Sequence, residues 1–103
     1  MEPEIPDNVL EKIKSEFEGS PSFLRGLRGD YGNIRLHRTS GTHTVAFGDT
    51  YELTEYQVPL LDTEGKPLLD KSGKRDFRII SIYFAKNEEL YTLSDFLKRD
   101  MKS

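Results

Sequence analysis

The side chains best suited to chemistry in this sequence are arginines and histidines, and they are concentrated in one segment. Residues 24–43 contain four arginines and both histidines of the chain, but only one acidic residue, Asp30. Arginine binds phosphate through charge-assisted hydrogen bonds, and histidine exchanges protons near neutral pH. The segment therefore predicts a site for a phosphate-bearing ligand, although the formal net charge of the whole chain is -3.

Two of these side chains share one face of a predicted strand. Ile34 and Leu36 alternate with Arg35 and His37, which is the two-residue period of a half-buried strand. We therefore expect Ile34 and Leu36 to point to one side of this strand and Arg35 and His37, with Asn33, to point to the other.

The residues that follow predict a hairpin. Residues 39–41, Thr-Ser-Gly, have the composition of a tight turn, and residues 43–47 have that of a returning strand. Such a turn brings His43 opposite Arg35 and His37, with Arg38 beside them. A cluster of this kind can bind phosphate. The alternative for each residue taken alone is an ordinary solvated side chain on a sheet.

No metal ion or cofactor is predicted. The two histidines lack a zinc-like spacing, and no cysteine is present to complete a tetrahedral site. The segments that begin at Asp62 and Asp70 place acidic or hydroxyl side chains before Gly65 and Gly73, but they lack the full ligand pattern of a calcium loop, and we interpret both as β-turns. Phosphate-binding glycine loops and nucleophile elbows are missing from the sequence.

Length and composition predict one folded domain that spans residues 1–103. Aromatic residues make up 11% of the chain, and such residues are scarce in disordered proteins. The absence of cysteine excludes disulfides and cysteine nucleophiles. No apolar run is long enough to cross a membrane, and the start of the chain lacks the pattern of a signal sequence, so we expect a cytoplasmic protein without a membrane partner.

Helices are expected at both ends of the chain. The apolar period from Val9 to Phe17 predicts a helix that is capped by Asp7 or Asn8 and ended by Gly19. A second, shorter helix is expected from the Ser-Pro pair at residues 20–21.

A closing helix and a sheet complete the prediction. Thr92 to Asp95 can cap the C-terminal helix. Residues 51–58 are β-rich, and residues 77–85 are apolar on both faces, as in a central strand. The near-repeat of residues 60–66 and 68–74 predicts two turns in a projecting meander. The expected fold is α+β, with two short N-terminal helices, a mainly antiparallel sheet of four or five strands, and a C-terminal helix.

Two stretches resemble RelE-type toxins, the mRNA interferases of toxin–antitoxin systems. Residues 34–45 are similar to the central hairpin of that family, in which a basic strand runs through a Ser/Gly turn into a strand with a basic start. Residues 79–91 are similar to its late apolar strand, short basic segment and C-terminal tyrosine. The resemblance implies an endoribonuclease that cuts RNA on the ribosome without a metal, and it implies an antitoxin as protein partner.

The resemblance also implies residue roles. Arg35 would offset charge on the phosphorane, His43 would take the place of the family's arginine after the turn, and Tyr91 would be the C-terminal tyrosine. Either His37 or His43 can act as the base, with Tyr91 or the second imidazole as the acid. RNA contacts are assigned to four further cations, Arg25, Arg28, Arg38 and Lys86.

Three other functions stay open at this point. An inactive relative would bind RNA without cutting it, in keeping with Asn33 and Asn87, which stand where the family has lysine and arginine. A non-enzymatic protein-binding module, such as an inhibitor or adaptor, would instead use the acidic first helix or the meander at residues 60–75. A structural subunit that pairs a strand with its own copy is a third interpretation.

Overall fold

The computed structural model describes residues 5–44 and 49–102. Within these ranges lie three α-helices and five β-strands, and the predicted α+β class is confirmed. In chain order they are α1 (Asp7–Glu18), α2 (Pro21–Leu24), β1 (Arg28–Gly29), β2 (Arg35–Thr44), β3 (Thr50–Leu61), β4 (Phe77–Phe84), β5 (Leu90–Tyr91) and α3 (Leu93–Lys102), with a short 3-10 turn at Tyr31–Asn33.

Helix α1 forms because one of its faces is apolar. Val9, Ile13 and Phe17 recur at helical spacing, and all three are buried against the sheet. The helix ends at Gly19, as predicted. The predicted N-cap position is wrong, because Pro6 and not Asp7 or Asn8 precedes the first turn. The Asn8 side chain nevertheless accepts the Val9 N–H at 3.0 Å within that turn.

The sheet is antiparallel throughout, and β3 is its central strand. Strand β3 pairs with β2 over most of its length, with β1 at its last residues, and with β4. Strand β4 pairs in turn with the two residues of β5. One face of the sheet, which carries Val58, Ile80 and Ile82, packs on α1.

The predicted hairpin turn at residues 39–41 is wrong. Strand β2 runs without a turn from Arg35 to Thr44, and its partner is β3. The pairing absorbs Gly41 at a register shift between Ser40 and Thr42, which is the typical effect of a β-bulge. Of the predicted returning strand, residues 43–44 belong to β2 itself and residues 45–47 lie outside the described residues. The backbone of His43 therefore lies at the far end of β2 instead of opposite Arg35.

A second apolar cluster lies on the other face of the sheet, near the first residues of β3. Tyr51, Leu53 and Tyr83 are buried there beneath Phe96 of α3. The start of α3 is fixed by a capping box, in which Thr92 N–H donates to Asp95 and Asp95 N–H donates to Thr92 Oγ1. Burial acts to raise the pKa of Asp95, but these hydrogen bonds and Lys12 at 3.0 Å hold that pKa below its usual value.

Strand β4 is the predicted apolar strand. It lies between β3 and β5, with Ile80 and Ile82 buried under α1 and Tyr83 buried under α3. It departs from the prediction in three ways. The strand ends at Phe84 instead of residue 85, and the Phe77 side chain is 43% exposed. The central strand of the sheet is β3, because β5 pairs only with the last two residues of β4.

The near-repeat between β3 and β4 forms two turns, as predicted. The Gly65 and Gly73 N–H groups donate to the Asp62 and Asp70 carbonyls at 3.0 and 3.1 Å. Each aspartate side chain also accepts backbone N–H groups within its own turn. The pKa of Asp62 is lowered mainly by the N–H of Lys66, and that of Asp70 mainly by the Ser72 hydroxyl.

The two turns are joined by a closed ring of backbone hydrogen bonds. Leu68 N–H donates to the Leu60 carbonyl, Asp76 N–H to the Leu68 carbonyl, and Leu60 N–H to the Asp76 carbonyl, at 2.9, 2.8 and 3.0 Å. The eight-residue spacing of the repeat thus brings equivalent positions together. The ring fixes where β4 begins, and with it the position of Phe77.

Replacing Gly65 or Gly73 by alanine is expected to destabilise the fold by about 1–2 kcal/mol, the cost of a left-handed backbone for an L-residue. Their φ angles are +84° and +86°, and nothing would clash with the added methyl group, so strain is the only cost. Gly19→Ala, at a φ of -88°, is the matched control and should have a much smaller effect. Thermal melting with and without calcium chloride measures both effects. A melting temperature that rises with calcium would contradict the interpretation of these segments as plain turns.

Candidate functional site

One region of the sheet is left open to solvent by the helices. Helix α1 covers one face of the sheet, and α3 packs on the other face only where Tyr51, Leu53 and Tyr83 lie. The rest of that second face carries polar and aromatic side chains. We call this surface the open sheet face and define it by Arg35, His37, Arg38, Gln57 and Phe77.

The strand register places these side chains on one face. Arg35 lies directly opposite Gln57, and Arg38 lies opposite Glu55, the next residue of the same face of β3. A register shift between Leu36 and Arg38 leaves His37 as the extra residue of a bulge. Its ring nevertheless reaches the same face, because His37 Nδ1 lies 3.1 Å from Gln57 Nε2.

Gln57 therefore links the two predicted catalytic residues of β2. Arg35 is its cross-strand neighbour and His37 is its hydrogen-bond partner. A primary amide offers both a donor and an acceptor, so a half-turn of the Gln57 amide can satisfy either tautomer of His37. The other ring nitrogen, Nε2, is thus able to serve as an acceptor or as a donor towards a ligand.

An aromatic surface adjoins the imidazole. The rings of His37 and Phe77 are 6.4 Å apart between centroids and are tilted by 41°. Both side chains are exposed, and Phe77 presents 43% of its surface to solvent. Exposed aromatic rings are a common feature of surfaces on which nucleic-acid bases stack.

A shallow pocket of about 360 Å³ adjoins the open sheet face. Its lining residues are Asn33, Arg35, Gln57, Pro59, Arg75, Asp76 and Phe77. Arg75 Nη2 lies 3.1 Å from Asp30 Oδ2, and Asn33 Nδ2 donates to the same carboxylate at 2.9 Å. The pocket thus combines two arginines, two amides, the carboxylate of Asp76 and an aromatic ring.

Charge on this side of the sheet is balanced. Three arginines, Arg35, Arg38 and Arg75, stand against three carboxylates, those of Asp30, Glu55 and Asp76. Arg38 forms an ion pair with Glu55, although 64% of the arginine side chain stays exposed. Asp76 accepts the N–H of Phe77 at 3.0 Å. The surface therefore offers individual arginine side chains to a phosphate, but it has no net positive charge to attract a polyanion over a distance.

Tyr91 lies in a different region from Arg35 and His37. It belongs to β5, separated from β2 by β3 and β4, and its neighbour in the register is Tyr83. Its ring packs on Tyr51 and Phe96, with centroids at 5.7 and 5.6 Å, and its hydroxyl donates to Glu89.

His43 lies at the same end of the sheet as Tyr91. Its backbone pairs with Tyr51, six residues along β3 from Gln57, which corresponds to about 20 Å of extended strand. The structure thus brings Arg35 and His37 together, and it separates them from His43 and Tyr91. The catalytic roles themselves stay predictions.

The four residues assigned to RNA contacts are spread over the molecule. Arg38 lies on the open sheet face, whereas Arg28 stacks over Phe23 at 4.9 Å and Arg25 follows α2. Lys86 lines a separate cleft of about 490 Å³ with Tyr51 and Tyr91.

Three residues of this region were not singled out from the sequence. Gln57, Phe77 and Arg75 come from β3, from β4 and from the segment that joins them. No local sequence pattern marks any of them as part of a site. Only the β2–β3–β4 register brings them beside Arg35. The repeat before Phe77 was the one available signal, because it fixes where β4 begins.

In the parts of the chain that the structure describes, no group of three or more His, Asp or Glu side chains is placed to hold a metal ion. None of the helices there is long and apolar enough to cross a lipid bilayer. Comparison of the chain with protein-family models, with curated proteins and with solved structures yields no match.

Proposed function

We propose that this protein binds single-stranded RNA on the open sheet face and can cleave the bound strand without a metal ion. The observation that carries the proposal is the convergence of Arg35 and His37 on Gln57, next to the exposed ring of Phe77. This proposal keeps the function class that the RelE-type resemblance implies, with a smaller set of residues.

Binding is supported by the mixture of charge and aromatic surface. Arginine side chains contact phosphates, which supplies affinity that does not depend on sequence. Unpaired bases stack on exposed aromatic rings, and each such contact contributes about 1–3 kcal/mol. Double-stranded RNA hides its bases, so a surface with Phe77 and His37 side by side favours a single strand.

Cleavage requires a base, a charge stabiliser and a proton for the leaving oxygen. The ribose 2'-oxygen attacks the adjacent phosphorus, a new O–P bond forms, and the bond to the 5'-oxygen breaks. His37 Nε2 accepts the 2'-hydroxyl proton and then returns a proton to the 5'-oxygen, while Arg35 offsets the charge on the phosphorane. The products are a 2',3'-cyclic phosphate and a 5'-hydroxyl, so the atoms balance without a cofactor.

Arg35→Gln is expected to weaken RNA binding and to flatten its dependence on salt. Each lost phosphate contact on a single strand lowers the slope of log K against log salt by about 0.7. Phe77→Ala should weaken binding by about 5- to 150-fold, which is 1–3 kcal/mol, and should leave the slope unchanged because no charge is lost. Fluorescence anisotropy with a labelled single-stranded RNA of 12 nucleotides, from 50 to 200 mM salt, measures both quantities.

The matched control is Lys14→Gln. This lysine lies on α1, which packs on the opposite face of the sheet, and its ammonium sits over the ring of Tyr31 at 5.4 Å. Loss of one positive charge there should leave affinity and slope close to those of the wild type. Equal weakening by Lys14→Gln and Arg35→Gln would mean that only net charge matters, and the open sheet face would then not be the binding site.

A further inference from the structure

The outer edge of β4 has no neighbouring strand along most of its length. Strand β5 pairs only with Tyr83 and Phe84, and then the chain turns into α3. Among the described residues, no strand lies beside residues 77–82 on that side. Most of β4 is therefore an edge strand, although its last two residues pair with β5.

The orientation of the backbone groups on this edge follows from the register. Ala85 N–H donates to the Glu89 carbonyl at 3.0 Å, so the polar groups of Ala85 point towards β5. Because these groups alternate sides along a strand, those of Ile79 and Ser81 point to the same outer side. No residue that the structure describes forms a hydrogen bond with the backbone of Ile79 or Ser81 on that side.

A groove runs along this free edge. It has a volume of about 200 Å³, and its walls come from the end of α1, from the start of α2 and from the start of α3. Ser94 Oγ donates to Glu16 Oε1 at 3.1 Å across one end, so the acidic residue of the groove already has a partner. Ile79 and Ser81 form the floor together with their neighbours in β4.

Arg78 supplies the charge of the groove. It lines the groove, is only partly exposed, and forms no hydrogen bond or ion pair with any described residue. The other half-buried arginine of this part of the chain, Arg75, has Asp30 at 3.1 Å. A partly buried guanidinium without an acceptor is well suited to a carboxylate, which it binds by charge-assisted hydrogen bonds.

We propose that the edge of β4 at residues 77–82 binds an extended peptide segment of a partner protein, and that a carboxylate of that segment pairs with Arg78. The peptide adds a strand to the sheet by exchanging backbone hydrogen bonds with Ile79 and Ser81. This site is separate from the open sheet face and does not depend on RNA binding.

A partner peptide fits the groove better than a second copy of this chain. Strand β4 has the sequence Phe-Arg-Ile-Ile-Ser-Ile-Tyr-Phe and contains no acidic residue. Two copies paired edge to edge would therefore bring two Arg78 side chains to one pair of strands and no carboxylate to either. Like charges across neighbouring strands are destabilising.

The test starts from a display library of random 12-residue peptides, selected on the wild-type protein and counter-selected on Ser81→Pro. Proline removes the N–H that points outward, and it is tolerated at the edge of a sheet. We expect enriched peptides with an aspartate, a glutamate or a free C-terminus at a fixed place. One selected sequence is then compared with a free and with an amidated C-terminus. The comparison shows whether the carboxylate that binds belongs to a side chain or to the C-terminus of the peptide.

The selected peptide is then tested in two altered forms, which leave the protein unchanged, and against two variants of the protein. Replacing its carboxylate by an amide should weaken binding at least tenfold, and so should Arg78→Gln in the protein. Lys71→Gln, which removes one positive charge from an exposed turn outside the groove, should not. N-methylation of the peptide groups that face β4 should abolish binding, because it removes the backbone donors. The proposal is overturned if no peptide is enriched over Ser81→Pro, if N-methylated peptides bind as well, or if sedimentation shows that copies of the protein occupy the edge.

Discussion

Ile82→Ala is expected to lower the free energy of unfolding by about 2–5 kcal/mol. Ile82 has no exposed surface, lies in β4 and packs in the cluster that joins the sheet to α1. Truncation removes apolar contacts and leaves a cavity that the packed neighbours Ile13, Phe17 and Val58 fill only in part. A loss of this size is a large share of the stability of a small domain. Urea denaturation followed by circular dichroism measures it.

Leu36→Ala is the matched control for this prediction. Leu36 is also aliphatic and also lies in the sheet, but 59% of its surface is exposed. Its truncation should change the stability by less than about 0.5 kcal/mol, as is usual for surface positions. Similar losses for Ile82→Ala and Leu36→Ala would contradict the assignment of the core to the face of the sheet under α1.

The elements that the sequence predicts well are those whose signals are local. Helix α1 has its apolar residues at helical spacing and a glycine at its end, so its identity needs no knowledge of the rest of the chain. The two turns after β3 depend on Asp and Gly at fixed positions, and their hydrogen bonds lie within each turn. Tertiary contacts had little opportunity to override either pattern.

The hairpin at residues 39–41 failed because its signal was ambiguous. Threonine, serine and glycine occur in turns, but threonine also favours strands, and a glycine can be taken into a strand as a bulge. What decides the outcome is the long pairing of β2 with β3, from Arg35 opposite Gln57 to Thr44 opposite Thr50. Such a pairing is not local, so composition alone did not reveal it.

The same irregular pairing limits how well the two-residue period of a strand predicts which residues form the site. Strict alternation assigns Arg35 and Arg38 to opposite faces, yet both lie opposite residues of one face of β3, Gln57 and Glu55. The bulge at His37 causes this change. The residues of the open sheet face that come from β3 and β4 depend on register alone, and no spacing in the sequence encodes it.

Cleavage of bound RNA is the property with the largest expected response to mutation. Removal of a general base typically slows a proton-transfer step by about 10²- to 10⁴-fold. We expect His37→Ala to lower the cleavage rate by that factor and to change affinity far less, because the arginines supply the phosphate contacts. Arg35→Ala should lower both rate and affinity. A single-stranded RNA incubated with the protein in EDTA, with its ends mapped on a denaturing gel, gives the rate and the cyclic phosphate product.

Tyr91→Phe is the control that separates the two ends of the sheet. Tyr91 lies on β5, and its ring packs on Tyr51 and Phe96, away from Arg35 and His37, so its hydroxyl should not affect the rate. An effect of Tyr91→Phe as large as that of His37→Ala would place the reaction beside Tyr91 instead. RNA that stays intact at saturating protein would contradict the cleavage step alone. In that case the open sheet face would be a binding surface on which His37 positions the strand and does not react with it.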